Sequence, residues 1–360
     1  MSAKTASDFI AFLGDIHLGS QSVKFDAGLA NILAKCRHIV VNLESPICGD
    51  SPIASSKILL RTKPGLELNL SQWGVTAATI ANNHIFDHGT NGFRETCRAL
   101  KSRNILFSGA GENAQAASQP LILKCKNTRV GLIACTESGT QAVIASGDSP
   151  GCNNLQFPEI AAQIRNLKSK VDFVILVPHW GLCDYAYPPS AVVRCGEQLL
   201  DAGADLVIGH HSHVVQGLRK RKDGRTIVYS LGDCFFDPYL AGSLAISPTD
   251  ENCKGLVVIV EICNRNIITQ KVFTRYSGAT IYHDTLAERE NELEKRSAPF
   301  NNIATYPSYW RKVVRARLRR RVIFWLHPLQ WRHIRLATIQ AAFIMGQQIL
   351  LKMVRGNQKT

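Results

Sequence analysis

The sequence predicts an α/β layered fold in which two mixed β-sheets pack together and helices cover their outer faces. Apolar runs rich in Val and Ile recur along the chain, and helical patterns separate several of them. Polar clusters follow the ends of many of the runs. With 360 residues and 45% hydrophobic content, the chain is long enough to bury one large core or two modest ones.

The apolar runs are predicted to be strands. They cover residues 9–13, 39–41, 130–134, 173–177, 206–208, 227–231 and 256–262. Helices are predicted where apolar residues recur every three or four positions. These patterns cover residues 27–36, 92–101, 159–168 and 191–202, and Gly203 is suited to ending the last of them.

Two other features of the chain are a polar segment and its cysteines. The segment 137–157 is rich in Gly, Ser, Asn and Asp. It is either a loop that contacts a substrate or a plain surface connection. The 11 cysteines include no pair with CxxC spacing, so neither a disulfide framework nor a structural zinc site is predicted. We expect them to be reduced thiols of the core.

The most informative polar clusters combine carboxylates, amides and imidazoles at predicted strand ends. Their members are Asp15 and His17, Asn42 and Glu44, Asn83, His84 and Asp87, His179, and His211 and His213. Residues two apart on an extended segment point the same way, so Asp15 and His17 form a natural ligand pair, as do His211 and His213. Ligands from distant strand ends that meet at one sheet edge predict a metal site.

The ligand types fit a site for two divalent ions. Such a site needs ions about 3.5–4 Å apart, a bridging carboxylate, and a bound water whose pKa falls toward about 7. Glu44 is the candidate bridge, and Asn83 with His179 would complete the second ion. The predicted cofactors are therefore two divalent metal ions, Mn, Fe or Zn.

The order of these clusters resembles the calcineurin-like metallophosphoesterase superfamily. Within it, the segments NLESP, ANNHIFDHG, PHWG, DAGADLVIGHHSHVVQG and YSLGDCFF resemble the bacterial branch named for the capsule-synthesis protein CapA. That branch is linked to poly-γ-glutamate capsule formation. The resemblance covers roughly residues 8–280 and implies a four-layer sandwich.

The resemblance also implies a role for each ligand-type residue. The first metal would be held by Asp15, His17, Glu44 and His213, and the second by Glu44, Asn83, His179 and His211. His84 would assist the leaving group beside the metals, with Asp87 as a further catalytic residue. The chain departs from the superfamily in having Glu44 where a bridging Asp is usual. It keeps His17, which many CapA relatives lack.

Plainer interpretations of several of these residues stay open. Asn42 and Glu44 would also suit a cap on a turn at Ser45. Asp87 would suit a turn before Gly89, and His179 would suit a histidine bonded to backbone. Pocket roles are also predicted for Asn42, for Trp180 as a wall, and for Asp233, which otherwise is the exit of a buried strand.

Charge marks a second region of the chain. Residues 295–360 hold 14 Lys and Arg but no Asp or Glu, so the whole net charge of +14 lies there. The predicted domains are thus a catalytic-type domain, 1–294, and a basic helical tail, 295–360. Trp310, Val314, Leu318, Val322 and Trp325 follow helical spacing, and a more apolar stretch covers 336–351.

The tail predicts a helix lying on an anionic membrane surface. A helix packed on its own domain is the alternative. Nucleic acid is disfavoured, because charge alone points to it and no recognition motif accompanies it. The N-terminal residues hold no apolar signal segment, so we expect a cytoplasmic protein, peripheral at the inner membrane surface.

Two functions are consistent with these observations. One is a metal-dependent hydrolase, of the metallophosphoesterase type, acting in capsule, poly-γ-glutamate or exopolysaccharide biosynthesis. The other is a component of a capsule or exopolymer assembly complex that binds polymer with little or no turnover. The expected partners are an anionic polymer or phosphoester substrate and other capsule-biosynthesis proteins.

Overall fold

The structure is a computed structural model that describes residues 8–50, 57–241, 244–263 and 266–326. The strands in chain order are β1 Asp8–His17, β2 Lys24–Phe25, β3 His38–Leu43, β4 Ala77–Thr79, β5 Leu106–Ser108, β6 Ala110–Gly111, β7 Leu121–Lys124, β8 Arg129–Thr136, β9 Gly151–Cys152, β10 Phe173–His179, β11 Leu206–Ile208, β12 Leu218–Lys220, β13 Thr226–Val228, β14 Asp233–Phe236, β15 Tyr239–Ala241, β16 Leu244–Ile246, β17 Lys254–Cys263, β18 Asn266–Ser277 and β19 Thr280–His283.

Six of the helices lie between strands in the chain, and two follow the last strand. In chain order they are α1 Ala27–Leu33, α2 Glu67–Gln72, α3 Gly89–Ser102, α4 Ala114–Ala117, α5 Glu159–Lys168, α6 Ser190–Asp201, α7 Ala287–Ser297 and α8 Tyr306–Leu326. Two 3₁₀ turns, Ser138–Thr140 and Ala298–Asn301, complete the regular structure of the described residues.

The strands form two large mixed sheets. The first has the order β2-β19-β18-β17-β1-β3-β4-β5, with β14 paired to β1 beyond this path. Its strands β1, β3, β4 and β5 are parallel, whereas β17 joins β1 antiparallel. The second sheet has the order β12-β13-β11-β10-β8-β7, with a parallel centre and antiparallel edges. Parallel neighbours carry their carboxyl ends to one edge.

Successive side chains of a strand point to opposite faces of the sheet. Each sheet therefore presents one apolar face to the other sheet. Ile10 and Phe12 of β1 share one apolar cluster with Ile175 and Val177 of β10. Each such fully buried side chain contributes roughly 1.5–3 kcal/mol to the free energy of unfolding. The cluster forms the central layer between the sheets.

The other face of each sheet is covered by helices. Ala11 and Leu13 point away from the second sheet into a cluster with Leu29 of α1 and Phe93 of α3. Helices α5 and α6 bury apolar faces, including Ile164, and contact β8, β10 and β11. The predicted α/β sandwich of two packed mixed sheets flanked by helices is therefore confirmed.

The predicted elements lie within a few residues of the observed ones. The pattern over 159–168 is α5, and the other predicted helices are α1, α3 and α6. The strand predicted over 227–231 ends at Val228, because the chain turns there toward β14. The segment 137–157 contains a 3₁₀ turn and the short strand β9, which pairs with β6.

The chain divides into two compact units, residues 1–306 and 307–360. The charge pattern placed the start of the tail at residue 295, whereas the side chains of Arg296, Phe300 and Tyr306 are buried in the first unit. The Tyr306 hydroxyl donates to the Pro188 carbonyl at 2.7 Å, and Arg296 donates to the Val215 carbonyl. These contacts place residues 295–306 with the first unit.

The second unit begins with most of α8, which covers the predicted tail helix as far as Leu326. The predicted apolar stretch 336–351 lies outside the described residues, as do the side chains of Val322 and Trp325. Among the helices in the described ranges, none is both long and apolar enough to cross a bilayer.

The position of the boundary predicts the outcome of two truncations. A chain ending at Tyr306 should keep the cooperative thermal unfolding of the full-length protein, followed by circular dichroism. A chain ending at Glu294 should lose it, since removal of a buried Phe such as Phe300 alone costs roughly 3–5 kcal/mol. Equal melting temperatures for the two truncated chains would contradict the assignment of 295–306 to the first unit.

Candidate metal centre

The carboxyl ends of the central strands of both sheets meet at one edge of the sandwich. Asp15, near the end of β1, is in register with Asn42 on β3 and with Asp233 on β14. His179 ends β10 and forms a bridge with His210, which follows β11. Five distant segments therefore contribute polar side chains to a single buried cluster.

Asp15 is fully buried and has strong partners. Its Oδ1 accepts from Asn42 Nδ2 and contacts His210 Nδ1, both at 2.8 Å, and its Oδ2 accepts from the His211 backbone N–H at 3.0 Å. Burial favours the neutral carboxyl, but His210 and the other nearby histidines outweigh it and hold the pKa of Asp15 well below its usual range. Asp15 is therefore an anion held in place.

Glu44 is also fully buried, but among the described residues neither of its carboxylate oxygens has a hydrogen-bond partner. The nearest imidazole nitrogens to its Oε1 are His179 Nε2 at 3.6 Å and His213 Nε2 at 3.7 Å. Burial raises the pKa of Glu44 well above its usual range. An unpartnered carboxylate in the interior costs several kcal/mol, unless a cation compensates it.

Two ligand groups share this carboxylate. Asp15, Glu44 and His213 form one, and Glu44, His179 and His211 form the other. Within each group the ligand atoms lie within 4.8 Å of one another. A carboxylate common to two adjacent groups is the arrangement that a bridged pair of ions needs. The donor set of carboxylates and imidazoles fits Mn, Fe or Zn.

The second group extends to Asn83. Its Oδ1 lies 2.7 Å from His179 Nε2, and that same nitrogen lies 3.0 Å from His211 Nδ1. Burial lowers the pKa of His179 well below its usual range, so this imidazole is neutral and has a lone pair to offer. Asn83, His179 and His211 are thus brought together beside Glu44.

The first group is backed by Asp233. Its Oδ1 contacts His213 Nδ1 at 2.9 Å, which leaves His213 Nε2 directed toward Glu44. Burial opposes the charged form of His213, but Glu44 and Asp233 outweigh it and raise its pKa well above the usual range. Burial raises the pKa of Asp233 to about 7. A carboxylate behind a histidine fixes the ring and its tautomer, as in many metal sites.

His17 lies at the edge of this cluster rather than within either ligand group of the described residues. Its ring packs against Phe236, at 5.0 Å between centroids, and Phe236 also packs against His213. Its Nδ1 is buried and has no hydrogen-bond partner within the described ranges, and burial lowers the pKa of His17 to about 3. Its place as a metal ligand stays a prediction.

His84 stands beside the ligand groups in a network of its own. Its Nδ1 lies 2.5 Å from Asp87 Oδ2, which also accepts from the Leu60 backbone N–H at 2.7 Å. Lys57 contacts Asp87 Oδ1 at 2.6 Å and also donates to the Asn83 carbonyl. Burial raises the pKa of Asp87, but His84 and Lys57 outweigh it and keep it lowered. Burial lowers the pKa of His84 to about 4.

Two other predicted pocket residues, Trp180 and Asn42, hold neighbouring groups in place. Trp180 is buried and donates from Nε1 to the Tyr229 carbonyl at 3.0 Å, so its ring forms a wall behind Gly209. Asn42 links Asp15 to the His179 ring, with its Nδ2 3.4 Å from His179 Nδ1. The amide of Asn42 therefore orients ligands on both sheets.

The loop that carries the histidines has an unusual backbone. His211 and His213 have φ values of 91° and 57°, in the left-handed region that residues other than Gly seldom adopt. Such strain is common at functional sites and is sustained by surrounding contacts. It turns both imidazoles toward Glu44 although they flank Ser212, which is bonded to the Val214 carbonyl.

Four residues of the site were not selected from the sequence. His210 binds Asp15, Asn82 binds the Leu43 carbonyl at 2.8 Å, Lys57 binds Asp87, and Cys183 lies against His211. The two-residue spacing indicated His211 and His213 as ligands and did not indicate His210. Lys57 and Cys183 lie on irregular segments, where no periodic pattern marks them.

The chain belongs to the family described as bacterial capsule synthesis protein PGA_cap, which matches residues 10–238. This span contains every ligand-type residue of the two groups.

The chain is similar to the capsule biosynthesis protein CapA of Bacillus anthracis, with 31% identity over 51% of this chain and 46% of that protein. It is also similar to a protein of Mycobacterium tuberculosis (strain ATCC 25618 / H37Rv) named a "probable polyglutamine synthesis accessory protein", with 32% identity over 55% of each. The chain thus spans about half the length of these curated relatives. A solved structure described as a novel phosphatase from Mycoplasma pneumoniae shares 14% identity at a TM-score of 0.47, covering 74% of this chain and 93% of that one. That likeness carries no conclusion about activity.

The state of Glu44 predicts opposite effects of one substitution on stability and on metal binding. Glu44→Gln removes an unpartnered buried carboxyl, so the metal-free variant should unfold at the wild-type temperature or above it. It should also bind fewer ions than the wild type, for which about two per chain are expected. Added metal should stabilise the wild type by about 2.7 kcal/mol at a hundredfold excess over Kd, and the variant by less.

Metal analysis after dialysis and thermal unfolding with and without metal would measure both effects. Glu67→Gln is the matched control, because Glu67 is a buried carboxylate outside the site that accepts from the Gly65 backbone N–H. That control should lose stability and keep its ions. Normal metal content in Glu44→Gln would contradict the bridging role.

Proposed function

We propose that the protein is a metal-dependent hydrolase of the phosphoesterase type that acts in capsule, poly-γ-glutamate or exopolysaccharide biosynthesis. The observation that carries the proposal is the sharing of Glu44 by two ligand groups, with both carboxylate oxygens free of hydrogen bonds among the described residues. Membership of the capsule synthesis family supplies the biological setting.

The residues of the two groups would hold a pair of divalent ions, Mn, Fe or Zn, with Glu44 between them. When bound, such ions supply an activated water and neutralise the charge of a phosphoryl group. Asp15 is kept anionic and in position by Asn42 and His210. His179 is kept neutral by burial and presents a lone pair. These residues are therefore in position to hold the ions before any substrate binds.

His84 would exchange a proton with the leaving group. Its Nδ1 faces the Asp87 carboxylate, which assigns the proton to that nitrogen and leaves Nε2 for the substrate. Burial keeps the ring neutral in the free protein, and the negative charge of a bound phosphoryl group would favour its protonation. Asp87 would then stabilise the imidazolium until the proton is passed on.

The second candidate function is a polymer-binding component of an exopolymer assembly complex with little turnover. It is favoured by the relative from Mycobacterium tuberculosis, whose name describes an accessory protein. The same buried ligands would then hold ions that bind an anionic polymer such as poly-γ-glutamate, and His84 would have no proton to transfer. Turnover therefore separates the two functions.

The test is the turnover of manganese-loaded protein on an aryl phosphodiester, an aryl phosphomonoester and poly-γ-glutamate. Wild-type protein should hydrolyse at least one of them. His84→Ala should keep its ions but lose roughly 10²- to 10⁴-fold in kcat. His38→Ala is the control, because His38 contacts Thr76 and the Lys124 carbonyl far from the ligands. Binding without hydrolysis of any of the three would favour the assembly role.

We further propose that the basic tail holds the protein at the inner, cytoplasmic surface of an anionic membrane. The support is the concentration of positive charge after residue 306, where 12 of the 14 Lys and Arg that follow residue 294 lie, together with the apolar spacing of Trp310, Val314 and Leu318. Each basic residue near anionic lipid adds about 1 kcal/mol.

Sedimentation with vesicles tests the role of the tail. Full-length protein should bind vesicles containing phosphatidylserine, and binding should weaken as salt rises because screening shortens the reach of the charges. The chain ending at Tyr306 should stay in solution. Pure phosphatidylcholine vesicles are the lipid control. Equal sedimentation of the two proteins, or binding that ignores lipid charge, would reject a role for the tail.

A further inference from the structure

A thiol lies at the outer side of the metal centre. Cys183 follows the PHWG segment, and its Sγ lies 3.6 Å from His211 Nε2. The ligand atoms of Cys183, His211 and His213 all lie within 4.8 Å of one another. Cys183 is exposed, whereas Glu44 is completely buried. Cys183 is therefore the most exposed member of this third group.

The loop that carries Cys183 is fastened to the histidine loop. The Asp184 backbone N–H, at a residue with φ of 59°, donates to the Ser212 carbonyl at 2.8 Å. Asn252 is buried, and its Nδ2 contacts the His213 carbonyl at 3.0 Å and Asp184 Oδ1 at 3.1 Å. The Gln216 amide donates to the Tyr185 carbonyl at 2.7 Å. The thiol is thus held beside the imidazoles by contacts on both sides.

We propose that Cys183, His211 and His213 form an outer site for a thiophilic divalent cation such as Zn²⁺, which shares both histidines with the inner groups. One thiolate and two imidazoles are a common zinc donor set, with a fourth position left for water or another ligand. The two inner groups have carboxylates and imidazoles only, so they suit harder ions such as Mn²⁺ better than the outer site does. The chemistry of the donors separates the two kinds of site.

The outer site competes with the inner pair because it takes the same histidines. His211 directs Nδ1 toward His179 and Nε2 toward Cys183. A neutral imidazole has one lone pair, so a cation on Nε2 leaves the proton on Nδ1 and removes His211 from the inner group. Excess Zn²⁺ would therefore displace inner ions. This competition rests on the proposed function of the inner pair, whereas the outer site itself does not.

Cobalt absorption tests the outer site directly. Full-length, metal-stripped protein titrated with Co²⁺ should show a thiolate-to-cobalt charge-transfer band in the near ultraviolet. Cys183→Ser should lose this band, with folding checked by circular dichroism. Cys263→Ser should keep it, because Cys263 is also exposed but lies at the end of β17. A missing band in the wild type, or a band unaffected by Cys183→Ser, would overturn the outer site.

Displacement of manganese tests the competition without any measurement of turnover. Zn²⁺ added to manganese-loaded protein should release free Mn²⁺, followed by its electron paramagnetic resonance signal. Cys183→Ser should need at least about tenfold more Zn²⁺ for the same release, since one ligand of the competing site is gone. Equal release curves would overturn the competition. Protein that shows the cobalt band but hydrolyses no substrate would instead reject the proposed hydrolase while the outer site stands.

Discussion

The site depends on a carboxylate, that of Glu44, which is buried where two sheets meet and which no residue in the described part of the chain hydrogen-bonds. Glu44 has both oxygens removed from water, and the nearest imidazole nitrogens stand 3.6 and 3.7 Å away. Burial of such a group costs several kcal/mol. The apolar side chains buried between the sheets offset this cost. Without cations the carboxyl of Glu44 therefore takes up a proton more readily than usual, and bound cations would favour its charged form.

The residues around Glu44 are held in place by hydrogen bonds from behind. Asp15 is fixed by Asn42 and His210, whereas His213 is fixed by Asp233. Because these partners occupy one side of each ligand, the other side is left for Glu44 and a cation. This is pre-organisation: the cost of ordering the ligands is met when the chain folds rather than when it binds.

The same histidine loop serves more than one set of contacts. Its left-handed residues turn His211 between the buried His179 and the exposed Cys183. A loop with this geometry joins the interior of the site to its surface. The family is described by capsule synthesis, and the relatives' names describe biosynthesis and accessory roles rather than a reaction. The buried ligands, not the names, support hydrolysis.

The sequence by itself determined the layered α/β fold, since Val- and Ile-rich runs alternating with helical patterns gave β1, β3, β8, β10, β11 and β17 close to their observed bounds. It also selected most ligand-type residues, because paired ligands two positions apart follow strands directly. Short strands such as β4 and β19 were not predicted, since their pairing depends on neighbouring strands more than on their own residues.

Only the tertiary structure decided which ligand-type residues lie close enough together to share a cation. That Glu44 stands between His179 and His213, and that His210 rather than His17 contacts Asp15, follows from the register of β1 with β3 and the packing of the two sheets. Likewise, charge placed a boundary at residue 294, but burial of Phe300 and Tyr306 moved it to 306. Sequence patterns report which residue types a segment offers. Distances between segments far apart in the chain are set by packing, which no local pattern records.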